Sequence, residues 1–421
     1  MKVFADLHIH SKYSRACSKN LDLEHLDYFA SLKGIDLLIT GDMTHPVWFK
    51  EISRKLEETK EGIYKLKGSQ SKVFFILGGE LSSIFSRKGQ VKRIHYLIIL
   101  PKLELVDKFN KKLSLYANLS SDGRPILGLD VKDVLKIVFD IYDKAIFIPA
   151  HIWTPWFSLY GSISGFDSIY EAFDDLTNLI SAVETGLSSD PSMNWRIPEL
   201  DDFSIVSFSD AHSPSVNRLG REATLFEIEE ISYSNIFKAL KRGDDKNRIL
   251  MTIEFFPEEG KYHYDGHRIC KIRFSPEQSK ANNFLCPVCK KKITLGVMSR
   301  VEELAKRRAD FKDFKRPLFK KTIPLIEILA QILKSNVYSK KVFDKYLSLI
   351  KKFGPELDIL TGNFDKEELL KFDPLIYQAL VKIDKEEIVL EPGYDGEYGK
   401  VLIKINEKTD LVEPIKNRTL F

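Results

Sequence analysis

At 421 residues the chain is longer than one ordinary compact domain, so two or three are expected. Its 43% hydrophobic and 29% charged residues supply a sizeable core, which excludes a disordered chain. No apolar run approaches the roughly 18 residues that would mark a membrane-spanning helix. The net charge of +4 hides an asymmetry: residues 261–353 carry 23 Lys plus Arg against 8 Asp plus Glu, a local +15 that leaves the remainder at −11. A polyanion partner is expected, nucleic acid first. Met1-Lys2-Val3 enters the first strand at once, so neither a signal peptide nor a membrane association is expected, and the location is expected to be cytoplasmic. Four cysteines without secretory context point to metal binding over disulfides.

In chain order, the first apolar run starts at Val3 and ends in Asp6-Leu7-His8-Ile9-His10. Residues two apart on a strand project to one side, so His8 and His10 form a pair able to hold a divalent ion. Residues 21–32 place Leu23, Leu26, Tyr28, Phe29 and Leu32 at helical spacing, with Gly34 as the stop. A second run, 35–39, delivers Asp42 and then His45; residues 48–64 read as a charged amphipathic helix. Run 73–77 leads to Glu80, and run 96–100 is opened by His95. An amphipathic helix over 130–143 precedes run 145–149, which is followed by His151. Run 180–183 ends in Glu184, and run 203–208 leads into Ser209-Asp210-Ala211-His212. Each run is short, rich in β-branched or aromatic residues and bounded by Gly, Pro or polar residues, as a buried parallel strand should be. Seven such strands alternating with helices predict an α/β fold, and most carry a potential ligand at the C-terminal end, where the loops of a β/α barrel converge.

Imidazoles and carboxylates without cysteine suit zinc, manganese or iron. The candidates His8, His10, Asp42, Glu80, His95, His151, Asp210 and His212 exceed what one ion can use. Two or three ions sharing carboxylates are expected, and clustered cations favour hydrolysis at phosphorus. Glu80, Asp210 and Glu184 are the carboxylates expected to serve catalysis; Glu184 reads equally as ligand, general base or structural group. The loop after His151 is rich in aromatic, Gly and Ser residues, and Trp153, Trp156, Phe157 and Tyr160 are expected to form a wall that stacks against a base. Trp195 and Arg196, on a second loop from the same rim, are further expected substrate contacts.

Over 249–264 two strand-like runs flank Pro257-Glu258-Glu259-Gly260, which reads as a hairpin. Cys286-Pro287-Val288-Cys289 is one half of a zinc ribbon, and Cys270 belongs to the other. Arg273 stands where that half needs its second cysteine, so either His267, the preferred substitute, or His263 completes the site, or it is three-coordinate or empty. Cys17 reads as an ordinary small residue. Residues 301–308 read as a basic helix, with amphipathic helices at 326–333 and 342–353, a lysine-rich set suited to gripping phosphates without reading sequence. A turn-rich tail from Glu391 precedes a last strand starting at Val401.

Asp6-Leu7-His8-Ile9-His10, Gly41-Asp42, Gly79-Glu80, His151 and Ser209-Asp210-Ala211-His212 together resemble the polymerase and histidinol phosphatase (PHP) superfamily of metal-dependent phosphoesterases. With residues 149–158, 184–191, 193–196, 265–267 and 391–396, the chain resembles endonuclease Q, a family of DNA repair nucleases, over nearly its whole length. The resemblance implies a distorted seven-stranded β/α barrel over 1–248, a β-hairpin and zinc-finger-like module over 249–300, and a helical, basic DNA-binding region over 301–421. It implies a cut 5′ to uracil, hypoxanthine, xanthine or an abasic site, leaving a 3′-hydroxyl and a 5′-phosphate. It makes His8, His10, Glu80, His95, His151, Asp210 and His212 ligands, with Asp42 an eighth candidate, for zinc, manganese or magnesium. The expected partner is single- or double-stranded DNA with a damaged base, with a sliding clamp as a further candidate. Met43 after Asp42, where the superfamily often has His, leaves His45 open as a substitute ligand; Arg273, outside the usual cysteine set, is an alternative phosphate contact. The alternative function is a PHP phosphatase acting on a small phosphorylated metabolite.

Overall fold

The computed structural model describes residues 1–404, and residues 405–421 of the expected C-terminal region lie outside them. Strand β1 (Lys2–Asp6) runs parallel to β2 (Leu37–Ile39), with the helix Leu23–Lys33 between them capped by the Asp22 side chain and stopped at Gly34, φ +84°. β2 is Leu-Leu-Ile and wholly buried, the near-continuous apolar run of a strand in a parallel pairing.

The expected helix over 48–64 is two elements. A helix covers Pro46–Lys55, and the chain then turns back as the hairpin β3 (Leu56–Lys60) and β4 (Ile63–Leu66). Gly62, φ +65°, supplies the turn. Glu57, Glu58 and Lys60 face solvent because β3 is the sheet's outer strand, so the charges that suggested a helix face belong to an edge strand.

β5 (Phe74–Ile76) lies parallel to β2 and continues into β6 (Gly78–Arg87), which pairs antiparallel with β7 (Gln90–Ile99) across the Lys88-Gly89 turn. β8 (Ile126–Leu127) edges β6, and β9 (Ile146–Pro149) lies antiparallel to β7. The expectation of parallel strands therefore fails at β7. Its reversed direction explains why His95 opens its apolar run instead of closing it.

From β9 the ring continues. The Ser181 amide donates to Phe147 O (2.9 Å), leading to β10 (Ala182–Glu184), which pairs in parallel with β11 (Ser204–Val206). Beyond β11, the His10 amide donates to Ala211 O (3.1 Å) and the Ser209 amide to Asp6 Oδ1 (3.0 Å), returning the chain to β1. Outside this ring, β12 (Ala223–Glu227) pairs with β1 and β13 (Arg248–Glu254) with β12. The hairpin expected around Pro257 does not form: β13 stops at Glu254, a 3-10 turn covers Pro257–Glu259, and β13 pairs instead with β12 and with the later strand Leu318–Lys321.

Glu254 is buried, and burial pushes its carboxyl up to about 8 despite hydroxyl donors from Ser207, Thr252 and Thr185. A carboxyl whose folded pKa lies above its unfolded value gives stability that is complete below the unfolded pKa and lost as pH rises through the folded one. Glu254→Gln is therefore expected to remove much of the fall in melting temperature between pH 5 and pH 8.5, leaving stability at pH 5 little changed; thermal melts across that range check it.

The hairpin β14 (Asp265–His267) and β15 (Ile272–Phe274) leads to the cysteine pair, and β16 (Leu318–Lys321) returns to lie parallel to β13. The helix expected at 301–308 covers Val297–Leu304, with Val297 and Val301 in the ring's core; Lys306, Arg307 and Arg308 follow its end. A second core joins the helices Leu325–Ile332, Lys340–Phe353, Glu356–Thr361, Lys366–Phe372 and Pro374–Asp384 through Leu329, Tyr346, Leu349, Leu360, Leu369 and Ile376. The pair β17 (Val389–Glu391) and β18 (Lys400–Leu402) closes the described chain. Among the described residues no helix is long and apolar enough to cross a membrane.

Candidate metal centre

The ring delivers its polar residues through sharp turns at the strand ends. Asp42, His151 and Asp210 all adopt positive φ, +42°, +30° and +46°, a conformation that costs a non-glycine residue energy and collects at functional sites. Neighbouring glycines make room for them: a Cβ on Gly79 would come within 2.7 Å of the Asp42 nitrogen, and one on Gly186 within 2.4 Å of the His151 Cβ.

Two groups of ligand atoms converge, each within 4.8 Å: His8, His10, Glu80 and Asp210 in one, Glu80, His95 and His151 in the other. Glu80 belongs to both. Its Oε1 lies 2.8 Å from His95 Nδ1 and 3.0 Å from His151 Nε2, while its Oε2 lies 3.4 Å from His10 Nε2 and 3.6 Å from His8 Nε2. His8 Nε2 is buried without a hydrogen-bond partner, 3.5 Å from Asp210 Oδ1. A buried ring nitrogen left unpaired between two carboxylates is costly unless something else binds it, and a divalent cation fits this donor set.

Carboxylates behind the front ring nitrogens fix their direction. His8 Nδ1 lies 2.9 Å from Glu184 Oε1, and His10 Nδ1 lies 3.2 Å from Asp42 Oδ1. Each contact fixes its ring with Nε2 toward Glu80 and Asp210, the usual way a protein orients a metal-binding histidine. Glu184 also accepts the His151 amide (2.7 Å), and Asp42 accepts the hydroxyls of Ser11 (2.7 Å) and Ser14 (2.8 Å). The structure thus places Asp42 and Glu184 behind the ligand atoms. Glu184→Gln and Asp42→Asn are expected to weaken metal binding by about 10- to 100-fold while the fold persists, as competition titration with a chelator would measure.

Burial opposes ionisation throughout, and neighbouring charges decide the outcome. His95, Arg124 and His8 hold Glu80 well below the usual carboxylate range, and His212 and His8 do the same for Asp210. His8 is raised well above the imidazole range by Glu184 and Glu80, and His10 is raised to about 9 by Asp210 and Asp42. For His95 burial wins, lowering it to about 4.

His212 is adjacent, its ring 4.5 Å from that of His10 and its Nδ1 donating to Asp210 O (2.9 Å), but it lies outside both convergent groups. His45 is no substitute ligand: its Nδ1 accepts the Trp48 amide and caps a helix, and its ring stacks on Tyr13 at 4.4 Å. Cys17 is half-buried and carries no disulfide.

The aromatic loop divides. Phe157 and Trp156 are half-buried, Phe157 with its ring 4.5 Å from His95 and Trp156 packed on Tyr262. Trp153 and Tyr160 are buried against one another, Trp153 Nε1 donating to Asn194 (2.8 Å) and the Tyr160 hydroxyl to Glu199. Trp195 packs on Phe319, and Arg196 is buried in a bidentate bond to Glu302 (2.6 and 3.0 Å). These four hold the loops together and cannot reach a base or phosphate without unpacking. Sequence reasoning missed Asp6, whose buried carboxylate accepts the amides of Ser209 and Gly220 (both 3.0 Å) and ties the last loop to the first, and Arg124, 2.8 Å from Glu80. Asp6 was visible in the Asp-Leu-His-Ile-His run; Arg124 lies in an irregular loop with no periodic signal.

Separately, the ligand atoms of His267, Cys270, Cys286 and Cys289 lie within 4.8 Å of one another. Three thiols and an imidazole are a structural zinc set. His263 is elsewhere, buried with Nδ1 3.3 Å from Ser188 O. Arg273 points away from the cluster to Pro392 O (3.1 Å) and stays exposed.

The family described as MJ0043 C-terminal domain matches residues 324–385. The Bacillus subtilis protein YqxK is 31% identical over 417 residues, 95% of this chain and 99% of that protein. Protein MJ0043 of Methanocaldococcus jannaschii is 34% identical over 313 residues, 73% of this chain but 38% of its own length, so the chain spans well under half of that relative. Among solved structures, the lesion-specific endonuclease PfuEndoQ from Pyrococcus furiosus matches with a TM-score of 0.84 and 31% identity over 96% of both chains. Endonuclease Q in complex with a 27-mer duplex substrate carrying an abasic lesion at the active site matches with a TM-score of 0.85 and 31% identity over 96% of this chain and 97% of that one. With a relative and two structures matched over nearly their whole lengths, the chain belongs to the endonuclease Q family.

Proposed function

We propose that this protein is a metal-dependent endonuclease that cuts DNA on the 5′ side of deaminated bases (uracil, hypoxanthine or xanthine) and abasic sites, leaving a 3′-hydroxyl and a 5′-phosphate. The observation that carries the reading is Glu80, one buried carboxylate shared between two imidazole-rich groups at one mouth. The ring of strands over 1–248 is read as a distorted seven-stranded PHP barrel, followed by a zinc-finger-like module over 249–300 and a basic DNA-gripping region over 301–421. A soluble, cytoplasmic repair enzyme with a sliding clamp as a further partner is the corresponding cellular setting.

His8, His10, Glu80 and Asp210 would hold one divalent ion and Glu80, His95 and His151 another, with His212 beside the first for a third; zinc, manganese or magnesium suits this set. Such ions, when bound, acidify water and neutralise charge on phosphoryl oxygens. The chain's own residues do the rest. Glu184 and Asp42 hold the rings of His8 and His10 in the orientation that presents Nε2 to Glu80 and Asp210. Phe157 beside His95, and Trp156 beside Tyr262, offer aromatic faces to a nucleotide turned out of the duplex. A deaminated base pairs weakly and an abasic site not at all, so the cost of turning it out, about a few kcal/mol, falls for damaged DNA. His267, Cys270, Cys286 and Cys289 would hold a structural zinc.

Parallel assays of the metal-loaded protein on a uracil-containing duplex, an undamaged duplex and p-nitrophenyl phosphate test the reading. Preferential cutting of the uracil duplex supports it. Hydrolysis of the small monoester alone, with no DNA affinity, would replace it with a small-molecule phosphatase.

A further inference from the structure

Arg124 stands beside Glu80, and so far only its charge on that carboxylate has been given a role. Its loop is pinned on both sides. The Gly123 amide donates to Tyr13 O (3.0 Å), the Ser82 amide to Pro125 O (3.1 Å), and Asp122 Oδ1 accepts the Arg124 amide (3.1 Å). The position of Gly123 admits no side chain, because a Cβ there would stand 2.2 Å from Asp42 Oδ2 and 2.4 Å from Ser14 Oγ. The loop is thus seated directly on the carboxylate that orients His10, and this seating aims the guanidinium at Glu80.

Nη1 of Arg124 donates to Glu80 Oε2 at 2.8 Å, the oxygen that faces His8 and His10. Among the described residues neither Nε nor Nη2 makes a hydrogen bond, and the side chain is 27% exposed beside a wholly buried carboxylate. A guanidinium carries donors in a planar fork matched to phosphate, and here one prong is held by the protein while the rest of the fork opens to the mouth. An arginine serving only as a counter-ion to Glu80 would have no need of an open face.

We propose that Arg124 is a phosphate-binding residue: with Nη1 held on Glu80, its Nη2 and Nε donate to a non-bridging oxygen of the phosphate that enters the mouth. This assignment rests on the phosphoesterase reading of the site. It supplies the fixed cation that a transferred phosphoryl group needs as charge builds on its oxygens.

The test uses the full chain loaded with manganese, as wild type, Arg124→Lys and Arg124→Gln, with bound manganese counted in each and affinity for inorganic phosphate measured by ³¹P relaxation. The expected result is unchanged manganese content, phosphate affinity weaker by about 10- to 100-fold in Arg124→Gln, as for loss of charge-assisted hydrogen bonds, and partial rescue in Arg124→Lys, which keeps the charge and loses the fork. Phosphate affinity within twofold of wild type in both loaded variants would overturn the assignment, as would manganese lost from both, which would make Arg124 a counter-ion of Glu80, or a loaded wild type that binds no phosphate. If phosphate binding depends on Arg124 but the wild type cuts no lesion-bearing duplex, the endonuclease reading fails and the phosphate site stands. If the wild type cuts while both variants cut and bind phosphate as it does, Arg124 alone is misassigned.

Discussion

Glu80→Gln is expected to lower cutting of a lesion-bearing duplex by on the order of 10³-fold, at or beyond the loss from removing one preorganised electrostatic contact, and to reduce metal content at the same time. One substitution reaches both groups of ligands because Oε1 serves His95 and His151 while Oε2 faces His8 and His10. The amide removes the charge that balances these imidazoles and Arg124, and presents only one oxygen. Asp210→Ala, a change on one side, is expected to abolish cutting but to leave metal on the His95 and His151 side. Metal counting together with single-turnover cutting separates the two; full metal content and normal cutting in Glu80→Gln would remove the shared carboxylate from the account.

The second large effect lies in the seam between the two cores. Lys33, on the helix Leu23–Lys33, and Glu356 are both fully buried with Nζ 2.6 Å from Oε1. Lys33 also donates to Val216 O (3.0 Å), and Glu356 accepts the Leu325 amide (3.0 Å) and the Tyr346 hydroxyl (2.9 Å). Every charge-bearing atom of the pair is engaged, and the pair ties the ring to the helical region. Lys33→Met is expected to destabilise the protein by about 3–5 kcal/mol, because it strands a buried carboxylate. Adding Glu356→Gln should recover a large part of that loss, since no charge is then left unpaired. Denaturant unfolding of the two single variants and the double variant gives the comparison; a Lys33→Met variant as stable as wild type would show that the pair holds nothing.

How much of this was legible in the sequence depends on how locally each feature is encoded. The residues that converge at the candidate centre were legible because each follows or opens a short apolar run, and a buried strand announces itself by composition. The reversal of β7 was not read from the sequence, although His95 stands at the start of its run and not at the end, because a short apolar run carries no mark of its direction. The hairpin formed by β3 and β4 reads as helix in the sequence because Glu57, Glu58 and Lys60 on an exposed edge resemble a charged helix face. Trp153, Tyr160, Trp195 and Arg196 were read as substrate contacts because they come from loops at the mouth, but a large side chain on such a loop is as often the peg that holds the loop, and only packing tells the two apart. The division of labour between Asp42 and Glu184 behind, and Asp210 and Glu80 in front, is a matter of a few ångströms that spacing does not carry. Arg124 reaches Glu80 across 44 positions of sequence from a loop without pattern, and nothing short of the fold could have found it.

The most direct test of the central claim is the position of the cut. An end-labelled duplex with a single abasic site, incubated with manganese-loaded protein and resolved to single-nucleotide length, is predicted to show one break immediately 5′ of the lesion. The upstream fragment should end in a 3′-hydroxyl that a polymerase can extend. The undamaged duplex and the Asp210→Ala variant should show no cut. Cutting without regard to the lesion, or none by fully metal-loaded protein, would contradict the account.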